Sequence, residues 1–269
     1  MTRTMFRQST FSSRSTIGPI RAMVGAVLVP ILVAASPLST SAGEHDSETG
    51  RSIFNGKNLD GWKGDRAYWR VEEGQIVGRT TADHPLPHNT FLIWEGKLPG
   101  DFELHLQYKI DGTQANSGVQ YRSRRIPDAG PFVVGGYQAD IDATLRYTGI
   151  LYDERGGRGI LAERGQRVTI DTKGKRHVET FARSDELARS IHRDGWNRYR
   201  IVARGPRLQH YINGKLMVEV VDRQTGKSSR QGILALQLHR GPPMVVRFKD
   251  LRLKRLAAPA KGSPARAGN

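Results

Sequence analysis

The chain has 269 residues, no cysteine and a formal net charge of +16, with 37% hydrophobic and 25% charged residues. That length suffices for one large domain with its own core, and the missing thiols exclude disulfide staples, cysteine-held metals and cysteine nucleophiles. Arg3, Arg7, Arg14 and Arg21 at one end and Lys254, Arg255, Lys261 and Arg266 at the other supply half of the excess charge; the rest is spread without a basic stripe, the pattern of a solvated surface, so no nucleic-acid partner is expected.

The first 42 residues carry those four arginines without an acid, then an apolar run over 22–35 (AMVGAVLVPILVAA), then small residues ending in STSAG. This order predicts a cleaved export signal with cleavage after Ala42, and a periplasmic or extracellular mature protein. A retained anchor or a basic arm are the alternatives. The apolar run contains Pro30 and is only about 14 residues, against roughly 20 for a spanning helix, so no membrane span is expected in the mature chain.

Along the mature chain the hydrophobic pattern has period two. YWRVEEGQIVG (68–78) reads as a hairpin turning at Glu73-Gly74, and TFLIWEG (90–96) as a strand. In DFELHLQYKID (101–111), Phe102, Leu104, Leu106, Tyr108 and Ile110 alternate with polar residues over a stretch no helix stripe can explain. SGVQYRSR (117–124) and YQADID (137–142) come next as strands, and RGGRG (155–159) reads as a turn. VETFARSDELARSIH (178–192) is predicted as the one short helix. WNRYRIVAR (196–204), a hairpin around Asn213-Gly214, GILALQLH (232–239) and MVVRFKDLRLKRL (244–256) complete the pattern. Ten or more strands, one helix and no βαβ rhythm predict an all-β fold, an antiparallel β-sandwich of jelly-roll type over 43–256, with a disordered Pro/Ala/Gly tail at 257–269.

Sorted by face, YQADID sets Tyr137, Ala139 and Ile141 against Gln138, Asp140 and Asp142. GILALQLH sets its leucines against Gln237 and His239, and SGVQYRS sets Val119 and Tyr121 against Gln120 and Arg122. A polar strand face is ordinarily a solvated one. Gln, Asp, Arg and His are also the residue types that hydrogen-bond sugars or hold metals, and composition does not say whether these strands share a sheet. Trp62, Trp69, Trp94 and Trp196 read more readily as core aromatics than as sugar platforms. No paired-histidine zinc motif, phosphate-binding loop or serine elbow is present.

SIFNGKNLDGWKG, YWRVEEGQIVG, DFELHLQYKI, NSGVQYRS, GGYQADI, YTGILYDERGGRGILA, WNRYRIVARG, HYINGK and GILALQLHRGPPMVVRFKDLRLKRL, in that order, resemble the 3-keto-disaccharide hydrolase family over about residues 50–256. The resemblance implies a concanavalin A-like jelly roll, export, and action on glycosides oxidised at C3. The family pattern has a glutamate after the tyrosine of GGY and a glutamine two positions on; here Gln138 and Asp140 stand in those places, an amide where the family has its acid.

Such a substrate implies its own chemistry. The C3 carbonyl acidifies the proton at C2, a base removes it, the C1 substituent leaves by β-elimination and water adds back, whereas ordinary glycoside hydrolysis needs two flanking carboxylates. Asp140, Glu154 and His239 are the acid and base candidates. Arg122, or a divalent metal ion held by Asp140, Glu154 and His239, is the candidate for stabilising the enolate. Asn116, Gln138, Tyr152 and Gln237 are candidates for binding hydroxyls of a carbohydrate substrate. A non-catalytic carbohydrate-binding module on the same fold is the alternative.

Overall fold

The computed structural model describes residues 50–257, and these form two stacked β-sheets. The expected export signal at 1–42 and the tail from 258 onward lie outside the described residues. One sheet holds ten strands: β1 (Arg51–Ser52), β3 (Trp69–Glu72), β4 (Gln75–Thr80), β6 (Phe102–Asp111), β11 (Gln166–Ile170), β12 (Arg176–Thr180), β13 (Asn197–Arg204), β14 (Arg207–Ile212), β15 (Lys215–Asp222) and β17 (Met244–Arg255). The other holds seven: β2 (Trp62–Lys63), β5 (Thr90–Trp94), β7 (Asn116–Arg125), β8 (Val134–Asp142), β9 (Leu151–Glu154), β10 (Gly159–Ala162) and β16 (Ile233–Leu238). The larger sheet runs β12-β11-β15-β14-β13-β6-β17-β4-β3 with β1 beside β17, and the smaller β10-β9-β8-β7-β16-β5-β2. This is the all-β sandwich that the period-two pattern predicts.

The alternation works as a packing instruction. Along β6 every apolar residue from Phe102 to Ile110 is buried and every intervening polar one is half-buried. Its inward row, with Tyr199 and Ile201 of β13 and Val246 and Phe248 of β17, meets Val119, Tyr137, Ile141 and Leu236 of the smaller sheet in one continuous core. Each such side chain contributes about 1.5–3 kcal/mol by leaving water. Trp62, Trp69 and Trp94 are buried in this core, while Trp196 is half-buried. Both predicted hairpin turns form: Glu73-Gly74 and Asn213-Gly214 have positive φ at both residues, which suits the right-handed twist of the strands they join.

Two expectations need correction. The segment 178–192 is not one helix: residues 176–180 are β12, paired antiparallel with β11, and only α1 (Ser184–Ala188) is helical. Val178 and its neighbours alternate like a strand, and backbone pairing on the open edge of β11 outweighs the helical preference of the residues after them. The sandwich is also not purely antiparallel, because β11 lies parallel to β15. The residues over 155–158 do form the expected turn, joining β9 and β10, with positive φ at Arg155 and Gly157.

Polar groups at one end of the sandwich are paired. Tyr137 donates its hydroxyl to Asp222 Oδ2 at 2.6 Å, and Arg158 bridges Asp153 at 2.8 Å and Asp222 at 2.7 Å. These contacts close the end where β8 and β9 meet β15.

Candidate functional site

The polar rows seen in the sequence do share a sheet. On the face of the seven-stranded sheet turned away from the core, Gln120 of β7 lies opposite Gln138 of β8, and Gln138 opposite Tyr152 of β9. Gly118 stands between Asp140 on one side and Gln237 of β16 on the other. Asn116 pairs with Asp142, and alternation carries His239, one residue past β16, onto the same face. Glu154 lies on this face opposite Gly136.

Gln138 is the hub of the row and is only 2% exposed. Its Oε1 accepts from Gln120 Nε2 at 2.6 Å and from Gln237 Nε2 at 2.9 Å, while its own Nε2 donates to Asp140 Oδ1. The missing side chain at 118 makes room for this: a Cβ there would stand 2.7 Å from Gln138 Cγ and 2.8 Å from Cδ. Gly118→Ala should therefore push Gln138 off its three partners and lower unfolding free energy by about 1–3 kcal/mol. Urea midpoints of the two proteins measure this, and equal midpoints would mean the hub tolerates the methyl group. Gln237 Oε1, on the same face, is buried and without a hydrogen-bond partner among the described residues. An unpaired buried acceptor is costly, so it is a natural seat for a donor from a ligand.

Burial sets the electrostatics of the row. It pushes the Asp140 carboxyl well above the usual carboxylate range; the Gln138 hydrogen bond opposes this, and the charges of Glu154 and Asp142 add to it. Burial also raises Glu154, against the pull of a hydrogen bond from Asn89 and the Arg155 charge. It raises Tyr152 too, with the Glu154 and Asp140 charges adding. The same cause acts in the opposite direction on an imidazole, so His239 titrates below its ordinary value. Burial thus holds the Asp140 carboxyl toward its protonated form and the His239 imidazole toward its neutral one, both on the same sheet face.

Part of this side of the sheet is apolar and fully covered. Phe91 and Ile93 of β5, Val134 and Ala235 form a small separate apolar cluster on this side of the sheet. The connection between β7 and β8 reaches it, with the Phe91 N–H donating to the Phe132 carbonyl at 3.0 Å. Asn89, just before β5, links the rim: its Nδ2 lies 3.5 Å from Glu154 Oε1, and its Oδ1 accepts from the Arg240 N–H at 2.9 Å. Neither Asn89 nor Gln120 was among the sequence candidates. The alternation of β7 could have supplied Gln120. Nothing local marks Asn89, which meets Glu154 across 65 residues of chain.

Other candidates fall elsewhere. Arg122 is turned off the face by a bulge between Tyr121 and Arg124, where its own φ is +47°. Its guanidinium donates to the carbonyls of Gly100 at 2.6 Å and Gly205 at 2.8 Å and lies 3.3 Å from Asp101, so it ties loops together and does not meet the row. Asp142 organises the turn after β8, accepting from the N–H groups of Tyr147 and Thr148, both at 3.0 Å. Among the described residues no three His, Asp or Glu side chains converge as metal ligands, so Asp140, Glu154 and His239 do not form the expected divalent-cation set. Glu154 keeps a loose contact to Arg155 at 3.9 Å, while Arg158 is committed to Asp153 and Asp222.

The model of the 3-keto-alpha-glucoside-1,2-lyase-like domain family matches residues 49–254. The chain belongs to this family. Its role is accordingly carbohydrate-related. Comparison with curated proteins gives no match. Among solved structures the fold resembles a glycosyl-hydrolase candidate from Parabacteroides distasonis ATCC 8503, at 20% identity, TM-score 0.52, covering 80% of this chain and 97% of that one. It also resembles a carbohydrate binding module from Bacillus subtilis, at 15% identity, TM-score 0.48, covering 72% and 95%. At such identities the likeness shows the sandwich alone. Among the described residues no helix is long and apolar enough to cross a membrane.

Proposed function

We propose that this member of the family is an exported enzyme that cleaves 3-keto-glycosides by β-elimination. The observation that supports it is the opposite displacement of two proton-transfer groups on one sheet face, with Asp140 held toward its protonated form and His239 toward its neutral one. Export rests on the order of charged, apolar and small residues in 1–42.

In this reading the neutral His239 imidazole takes the C2 proton of the 3-keto sugar. The electron pair moves into C2–C3 and leaves an enolate oxygen at C3. The C1–O bond then breaks as the C3 carbonyl re-forms, and the leaving oxygen takes the Asp140 proton; water next gives a proton to the Asp140 carboxylate as its oxygen bonds to C1 of the C1=C2 bond, and the His239 imidazolium returns its proton to C2. Amide N–H groups of Asn116 and Gln237 donate to the sugar oxygens, including the enolate, and a sugar hydroxyl donates to the unpartnered Gln237 Oε1. Glu154 and Tyr152 stand beside the acid and bind the outer hydroxyls. No step passes through a metal ion.

A non-catalytic binding module is the second reading, favoured by one feature: Gln138 replaces an expected acid and occupies an Asp140 oxygen. One assay separates the two. Purified protein is offered 3-keto-glucosides and 3-keto-disaccharides, with and without a chelator. Release of the aglycone, lowered about 10²-fold or more in His239→Ala, is the expected result. Binding of the glycans with no release in any condition would make it a module.

A further inference from the structure

The ten-stranded sheet also has a face turned away from the core, and it carries a groove of about 700 Å³. Across its floor Tyr211 of β14, Arg200 of β13, His105 of β6 and Arg252 of β17 stand in register. On the next rung Arg198 lies beside Gln107, and Gln107 beside Lys249. The half-buried Trp196, just before β13, lines the same groove. From β14 to β17 is three strand spacings, about 14 Å, enough for more than one sugar ring.

Two of the cations are held on aromatic faces. The Arg200 guanidinium carbon lies 3.8 Å from the Tyr211 ring centroid, and Lys249 Nζ lies 4.1 Å from that of Trp196. A stacked guanidinium has its plane fixed, so its N–H fork is pre-oriented for a carboxylate or sulfate. Carboxylates are present as well: Glu103 is engaged by His105 at 2.7 Å and Arg200 at 3.4 Å, and Asp250 accepts from Gln107 at 2.6 Å. Arg198, Arg200 and Arg252 line the groove and Lys249 stands next to Gln107 and Trp196, so against these two acids the groove is basic but interrupted. A continuous polyanion with a phosphate at every residue would meet the acids. A ligand whose acid groups are spaced by hydroxyl-bearing rings would find a cation for each acid group and polar side chains for the hydroxyls.

We propose that this groove is a second saccharide site, separate from the Gln138 face, and that it takes acidic oligosaccharides. Arg200 and Arg198 bind the acid group, while Trp196 and Tyr211 pack against the sugar rings.

The test is a calorimetric titration of the protein with trigalacturonate, with maltotriose as the neutral arm and a short single-stranded oligonucleotide of equal charge as the nucleic-acid arm. Saturable binding of trigalacturonate is expected, about tenfold tighter than maltotriose, and about tenfold weaker in both Arg200→Gln and Trp196→Ala. Arg198→Ala changes an exposed side chain and should weaken binding in the same direction, which keeps the test open if either of the others melts early. Absence of saturation up to about 10 mM, equal affinity in all three variants, or tighter binding of the oligonucleotide would overturn the assignment. No keto-sugar is used, so a failure here is separate from failure at the Gln138 face.

Discussion

Asp140→Asn should lower turnover of a 3-keto-glycoside by about 10²- to 10⁴-fold and at the same time make the protein more stable than wild type above neutral pH. The two effects share one cause. Asp140 is 6% exposed, and burial raises its carboxyl pKa well above the usual range. A carboxyl whose folded pKa lies above its unfolded value contributes stability that is complete below about pH 3.9 and is lost as pH rises through the folded value. Asn carries no proton to lose, and its Oδ1 can still accept from Gln138 Nε2, so the hub around Gln138 survives the change. The advantage of the variant should widen as pH rises from the unfolded value toward the folded one, where the unfolded chain ionises a carboxyl that the native row holds protonated. Urea midpoints at pH 5 and pH 8, read beside the aglycone-release assay, check both halves. Wild-type turnover in the variant would remove Asp140 from proton transfer. A midpoint difference that does not grow with pH would mean that the carboxyl ionises freely.

That a site should be less stable than its mutant fits where the acid sits. Gln120 and Gln237 donate to Gln138 as neutral amides, whereas among the described residues the Asp140 carboxylate receives the Gln138 donor and no cationic one. An ion there would be poorly solvated, and a neutral acid is what the row can hold. The arrangement holds a proton on Asp140 in a row that also carries an unpaired buried acceptor, Gln237 Oε1.

The faces of the strands were legible because alternation is a local property, fixed by the chain's own geometry. It placed Gln138, Asp140, Gln237 and His239 on polar sides, and the pairing of β7, β8 and β16 then made those sides one surface. Arg122 shows where alternation stops. One extra residue in the β7 bulge reverses its direction, and a non-glycine residue at positive φ leaves no mark in the sequence. Asn89 shows a second limit, since its link to Glu154 depends on how a loop crosses the sheet. The stretch from β9 to β12 was illegible for a third reason: its strands are four or five residues long and interrupted by Gly156, Gly157, Gly159 and Gly165, too short for a period to declare itself. The metal set fails on a different ground from Arg122, because three suitable residue types on one face need not converge on one point.

His210→Gln should flatten the loss of stability that wild type suffers between about pH 6.5 and pH 3, a loss of about 4–5 kcal/mol for this one group. His210 is fully buried between the sheets, on β14. Its Nδ1 lies 3.1 Å from the Ile150 carbonyl oxygen, which can only accept, so Nδ1 carries the hydrogen; Nε2 then accepts from the Tyr121 hydroxyl at 2.9 Å. The Tyr199 hydroxyl lies 3.5 Å from Nδ1, and among the described residues no carboxylate hydrogen-bonds to the ring to balance an imidazolium. Burial accordingly pushes the pKa down to about 3, with the backbone carbonyl opposing. Because the folded pKa lies below the unfolded one, the stability it confers is present above pH 6.5 and drains as pH falls toward 3, where the unfolded chain has taken up a proton that the native core refuses. Asp140 and Glu154 act in the opposite sense over the acid range, so the wild-type profile alone is ambiguous and the difference between wild type and variant isolates the histidine. A glutamine amide can donate to the Ile150 carbonyl and accept from Tyr121, which keeps the cost of the substitution itself small near neutrality. Parallel pH profiles for the two proteins would show that the ring is not held neutral, and that the Tyr121–His210–Tyr199 cluster admits a charge the present geometry has no means to solvate.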